Sequence, residues 1–139
     1  MKNKVLAIIT IIFGLLAAIG PKTIFPVCKA GEMKMRCFYT ARWELVVGVA
    51  AVITGILLLI ISKEIIRAVL SGVQIILGVF IVLIPTAIVG VCGSPMMHCV
   101  TVTRPALIVI GTLHILVSST ALIVSLRESS GKRIGLKVA

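Results

Sequence analysis

Apolar residues in this chain gather into four long runs, at about 5–20, 45–62, 68–91 and 107–126. The first is interrupted by a single polar residue, Thr10, and extends through 24–27 if the Pro21–Lys22 break lies near a membrane interface. Each run covers a hydrocarbon core, which takes roughly 20 helical residues with allowance for tilt and partly polar ends. Lipid offers backbone amides no hydrogen-bond partner, so each run predicts a helix that satisfies its own backbone. Barrel strands are excluded because the runs are continuous and do not alternate. The pattern predicts an all-α membrane protein with four transmembrane helices.

A cleavable leader is the competing reading of the N-terminus, since Lys2 and Lys4 precede an apolar stretch ending near Ala17 and Ala18. It is set aside because the segment recurs later in the chain. Gly14, Pro21 and Cys28 are repeated 64 residues on as Gly78, Pro85 and Cys92. Thr40, Gly48, Gly55 and Ser62 match Thr103, Gly111, Ser118 and Ser125 at an offset of 63. The approach to the second helix of each half matches as well, Met35-Arg36-Cys37 against Met97-His98-Cys99. The expectation is one domain over 1–139, built as two parallel-repeat helical hairpins. Repeat 1 spans about 5–62, repeat 2 about 68–126, and a basic cytoplasmic tail follows at 127–139. Gly48, Gly55 and Ser62, with Gly111, Ser118 and Ser125, form small-residue stripes at heptad spacing, which favour close helix packing.

Composition agrees with the membrane reading. Residues are 60% hydrophobic and only 4% aromatic, with a mean hydropathy of +1.25, more apolar surface than a small soluble domain can hide. A net charge of +10 raises nucleic acid as a partner, but the 14 cations sit in short segments between the apolar runs. There they match anionic headgroups, and nucleic acid is rejected. With the N-terminus inside, eight cations face the cytoplasm (2, 4, 63, 67, 127, 132, 133, 137) and six lie outside (22, 29, 34, 36, 42, 104). This weak positive-inside bias predicts a multi-pass protein of the cell membrane with both termini cytoplasmic and the cysteine loops extracytoplasmic.

Those loops hold the distinctive chemistry. Cys28 and Cys37 flank the first, Cys92 and Cys99 the second, and an even count suits an oxidising compartment. The first of three readings is a structural disulfide in each loop, Cys28–Cys37 and Cys92–Cys99, although four cysteines allow three connectivities. Closing a loop of this size is worth roughly 2–3 kcal/mol in the chain-entropy model. The second is a soft-metal or haem site, because Met33, Met35, Met96, Met97 and His98 lie between the cysteines and thioether, thiolate and imidazole select ions such as monovalent copper. No resident cofactor is predicted otherwise. The third is thiol–disulfide exchange. Four helices with outer cysteine pairs look like the plan of membrane thiol oxidases, but neither pair has the Cys-x-x-Cys spacing of that chemistry.

Inside the runs, Gln74 and His114 are the costly polar residues, and an intramembrane polar group is a functional candidate by default. The economical reading is a hydrogen bond across the bundle, to Thr54 or Ser119. Arg42-Trp43-Glu44 reads as an interfacial anchor, with Glu44 near the positive end of a helix. Pro21 is expected to end the first helix and Pro85 to kink the third. No nucleophile–base set or carboxylate pair is present, and no catalytic residue is assigned.

At Cys28…Met35-x-Cys37-x-x-Thr40 and Cys92…Met97-x-Cys99…Thr103-Arg104-Pro105-Ala106-Leu107 the sequence resembles a family of small prokaryotic four-helix membrane proteins, domain of unknown function 4418. The resemblance covers nearly the whole chain. It implies the fold and the membrane setting and carries no activity or substrate. The leading functional expectation is a non-enzymatic accessory or scaffold subunit of a transporter-like membrane assembly, its partners the lipid bilayer and another membrane protein or a second copy. Soft-metal or haem delivery ranks next, and a membrane thiol–disulfide oxidoreductase third.

Overall fold

The computed structural model describes residues 2–23, 36–88 and 99–138, with side chains described at 3–20, 23, 39–88 and 101–132. Helix α1 runs Lys2–Thr23, α2 Arg36–Ile60, α3 Glu64–Leu83 and α4 Arg104–Val138. All four carry a stretch long and apolar enough to cross a membrane, at Asn3–Gly20, Tyr39–Ile60, Glu64–Ile88 and Thr101–Lys132. No strand occurs among the described residues.

Pro21 and Pro85 both lie where an α-helix ends. Pro21 lies within the last turn of α1, which continues to Thr23. Having no N–H, it leaves the carbonyl one turn back without its helical donor, and the helix ends two residues later. At Pro85 the chain widens into a π-helical turn, Ile84–Ile88, after the Ile84 N–H has closed on the Phe80 carbonyl. Proline cannot donate to the carbonyl one turn back, and a wider turn accommodates the broken ladder. A second π turn, Cys99–Thr103, leads into α4. That helix continues from the apolar run into the basic segment that follows it and ends at Val138.

The helices form a ring of four. Within it α1 packs most extensively on α2 and α3 on α4, while α1–α4 and α2–α3 contacts close the circuit. Glycines set the close approaches. A Cβ at Gly48 would lie 2.7 Å from the Ala18 Cβ, one at Gly55 2.6 Å from Ile11, and one at Gly14 3.1 Å from Ala51. In the other hairpin, a Cβ at Gly78 would meet Ile115 at 2.7 Å and one at Gly111 would meet Val82 at 2.6 Å. Contacts that rise along one helix and fall along the next make both pairs antiparallel. Thr23, Arg36, Ile88 and Cys99 therefore lie at the same end of the bundle, opposite the short connector at 61–63.

Burial recurs at spacings of 63 and 64 residues. Ala7 and Ser71, Thr10 and Gln74, Gly14 and Gly78, and Ala17 and Ile81 are buried at an offset of 64. Thr40 and Thr103, Glu44 and Leu107, Gly48 and Gly111, Ala51 and His114, and Gly55 and Ser118 are buried at an offset of 63. Outward positions carry large apolar side chains, such as Ile53, Ile60, Val69, Ile76 and Leu116. At the connector end, Asn3 Nδ2 donates to Glu128 Oε2 at 2.7 Å, and Lys132 meets Glu64 at 2.5 Å. Glu64 also stands in the first turn of α3, where a carboxylate suits the helix dipole.

Candidate functional site: a polar file inside the bundle

With lipid outside, an apolar side chain gains nothing by turning inward, whereas a polar one must find company there. The interior is accordingly polar on every helix. Helix α1 contributes Thr10, α2 Thr40 and Glu44, α3 Ser71 and Gln74, and α4 His114, Ser118 and Ser125, with Thr103 just before it. All are buried, interleaved with small or branched residues such as Ala17, Ala51, Ile81 and Leu107.

Gln74 is the hub. Its Nε2 donates to the Ala51 carbonyl at 2.8 Å and to Thr54 Oγ1 at 2.8 Å, both on α2. Its Oε1 lies 2.9 Å from His114 Nε2 on α4. One side chain thus ties three helices at mid-bundle. Glycines make room for it. A Cβ at Gly55 would lie 3.5 Å from Gln74 Nε2, and one at Gly78 3.1 Å from the His114 ring. Thr54 Oγ1 also donates back into its own helix, to Ala50 O at 2.9 Å or Ala51 O at 3.1 Å, which keeps its lone pairs toward Gln74.

Glu44 departs most from the sequence reading. Arg42 and Trp43 are exposed, as interfacial anchors should be, but Glu44 is 0% exposed and both of its carboxyl oxygens lack a hydrogen-bond partner among the described residues. The signal was present in the register, because 44, 48 and 55 share one face of α2 and that face carries the glycines. Beside Trp43, on the lipid side of α2 and α3, an apolar groove of about 360 Å³ runs past Val46, Ala50, Leu77, Phe80 and Ile84.

The other sequence candidates are placed as follows. Cys28, Met33, Met35, Cys92, Met96, Met97 and His98 lie outside the described residues, and only the backbone is described at Cys37 and Cys99. Those two positions start α2 and the turn before α4, at the same end of the bundle. Gly48, Gly55 and Gly111 sit at interhelical contacts, Ser118 and Ser125 are buried, and Ser62 is exposed in the connector. Among the described residues no group of three His, Cys, Asp or Glu side chains is placed to hold a metal ion.

No curated protein and no solved structure matches the chain. A family model does, over residues 10–124, which takes in most of α1, all of α2 and α3, the first two thirds of α4 or so, and every residue of the polar file but Ser125. By that match the chain belongs to the family described as Domain of unknown function (DUF4418).

Proposed function

We propose that this protein is a non-enzymatic accessory or scaffold subunit of a larger membrane assembly of transporter type. The observation that carries the reading is the dry groove between α2 and α3, lined by Trp43, Val46, Ala50, Leu77, Phe80 and Ile84. Helix association in lipid relies on shape and van der Waals contact, and a groove with a small residue on its floor and aromatic walls suits a partner's transmembrane helix. A bundle pinned at its centre by Gln74 presents that groove as a rigid surface. Affinity capture in mild detergent tests the reading. A defined membrane partner should be recovered with the wild-type chain and lost with Ala50→Phe, which fills the groove. A chain recovered reproducibly alone, or with lipid only, would count against it.

The two-hairpin duplication is part of this proposal. It is supported by like burial at positions 63 and 64 apart, and by the pairing of Gly14 with Ala51 in one hairpin and Gly78 with His114 in the other. Disulfides Cys28–Cys37 and Cys92–Cys99 are proposed to staple the two loops on the extracytoplasmic face. The reading is supported by the position of Thr23, Arg36, Ile88 and Cys99 at one end of the bundle. Peptide mass spectrometry without reduction should find these two links, and a cross-loop link would replace them.

A further inference from the structure

Several atoms of the buried polar file have nothing to bond. Gln74 fixes the sense of the central pair. Its Nε2 donates to the Ala51 carbonyl, which can only accept, so the atom turned toward His114 is the acceptor Oε1. His114 Nε2 therefore carries hydrogen, and Nδ1 keeps a lone pair that is buried and unpartnered among the described residues. Glu44 lies two helical turns from Ala51 along α2, about 10 Å toward the cysteine-loop end, with both carboxyl oxygens unpartnered. In the other direction, Ser118 Oγ stands one turn from His114 on α4 and Ser71 Oγ one turn from Gln74 on α3, both buried and unpartnered. Past Ser71 is a cavity of about 10 Å³ lined by Thr10, Ser71 and Ser125, with Asn3 and Arg67 toward the connector end. That is on the order of the space one water needs, and its hydroxyls supply the partners such a water requires. Unpartnered buried polar atoms call for an explanation, and ionisable side chains at depth in a membrane bundle mark ion and proton paths.

We propose that the interior of this bundle is a proton path, with Glu44 and His114 as its proton-carrying groups. The Glu44 carboxylate takes a proton from water at the cysteine-loop end and becomes a neutral acid. Through intervening water it passes the proton to His114 Nδ1, restoring the carboxylate and forming the imidazolium. Nδ1 then releases the proton to the water and hydroxyl chain at Ser118, Ser71 and the small cavity. One proton enters and one leaves, and nothing is oxidised or reduced. Gln74 holds Nε2–H throughout, so the ring keeps its orientation. Among the described core residues, Glu44 from α2 and His114 from α4 are the ionisable groups. Helix α1 offers Thr10, and α3 offers Gln74 and Ser71, with Arg67 at the cavity. The proposal is independent of the subunit reading, because it concerns the chain alone.

The test uses the purified full-length chain in phospholipid vesicles loaded with a pH-sensitive dye, with a potassium diffusion potential set by valinomycin. The wild type should move protons well above the rate of protein-free vesicles. Glu44→Gln and His114→Gln should each lower that rate at least tenfold, while Glu44→Asp and the lipid-facing Thr120→Val retain most of it. Circular dichroism and gel filtration confirm that each variant is helical and monodisperse. A folded wild type no leakier than empty vesicles overturns the proposal. So does a Glu44→Gln variant that conducts like wild type, or a Glu44→Asp variant that is folded and silent.

Discussion

Gln74 has two amide hydrogens and one carbonyl oxygen, and the bundle employs both ends of the side chain. Replacing it with Leu keeps the volume but leaves the His114 Nε2–H without an acceptor and Thr54 without a donor. A buried polar group stripped of its partner destabilises by about 1–3 kcal/mol, although pairs inside membranes average nearer 0.6 kcal/mol. Gln74→Leu should therefore lower unfolding stability in mixed micelles by about 1 kcal/mol. His114→Leu should lower it less once Gln74→Leu is present, and the double-mutant coupling should be positive and below about 1.7 kcal/mol. Additive losses in a detergent titration would show that the 2.9 Å contact does not couple the two residues. At the connector end, Lys132 is highly exposed on its side of the Glu64 pair. Solvent and salt screen such a pair, so Lys132→Ala should leave the unfolding midpoint where it was.

Between helices, the glycines fall into two classes that a single substitution separates. A methyl at Gly48 would lie 2.7 Å from both the Cβ and the backbone nitrogen of Ala18, so the clash is with a helix that cannot swing aside. Gly48→Ala should destabilise by about 1–3 kcal/mol, the usual range for overpacking. Gly72 has nothing within 4 Å of the same added atom. There Gly72→Ala should be neutral or stabilising, since Ala is the better helix former by about 1 kcal/mol. Thermal unfolding of the two variants side by side checks the pair. The number and placement of helices were legible from the apolar runs, because lipid leaves a long hydrophobic segment little else to become. The length of α4 was not. Hydrophobicity marks where the bilayer stops, not where the helix stops, and 127–138 stays helical on polar residues. Glu128 and Lys132, one turn apart, suit that continuation.

Across the whole molecule, buried positions 63 or 64 residues apart carry dissimilar side chains. Thr10 stands where the second half has Gln74, Ala51 where it has His114, and Glu44 where it has Leu107. Under the proposed duplication, the two halves would share a backbone register and differ in the chemistry they place inside. Gln74 and His114 could be picked out from the sequence because charge and amide are rare at that depth. Glu44 could not be read as easily, since its neighbours Arg42 and Trp43 mark a membrane surface and only the spacing to Gly48 and Gly55 points inward. The proposed sidedness has its own check. After reduction in intact cells, a membrane-impermeant maleimide should reach Cys37 and Cys99 alike, and labelling of either one only after permeabilisation would refute the arrangement.

The reach of α4 has a consequence for whatever approaches the face with the termini. Its 35 residues span about 50 Å at the helical rise, against a hydrocarbon thickness of about 30 Å. Roughly 20 Å is left over, and the six residues past the Glu64–Lys132 contact account for about 9 Å of it. The last turns form a stiff cantilever standing in the headgroup layer and the water past it, with Arg133 and Lys137 along it. A protein docked on the last turn of α4 would be carried at a fixed height above the lipid rather than on a loose tether.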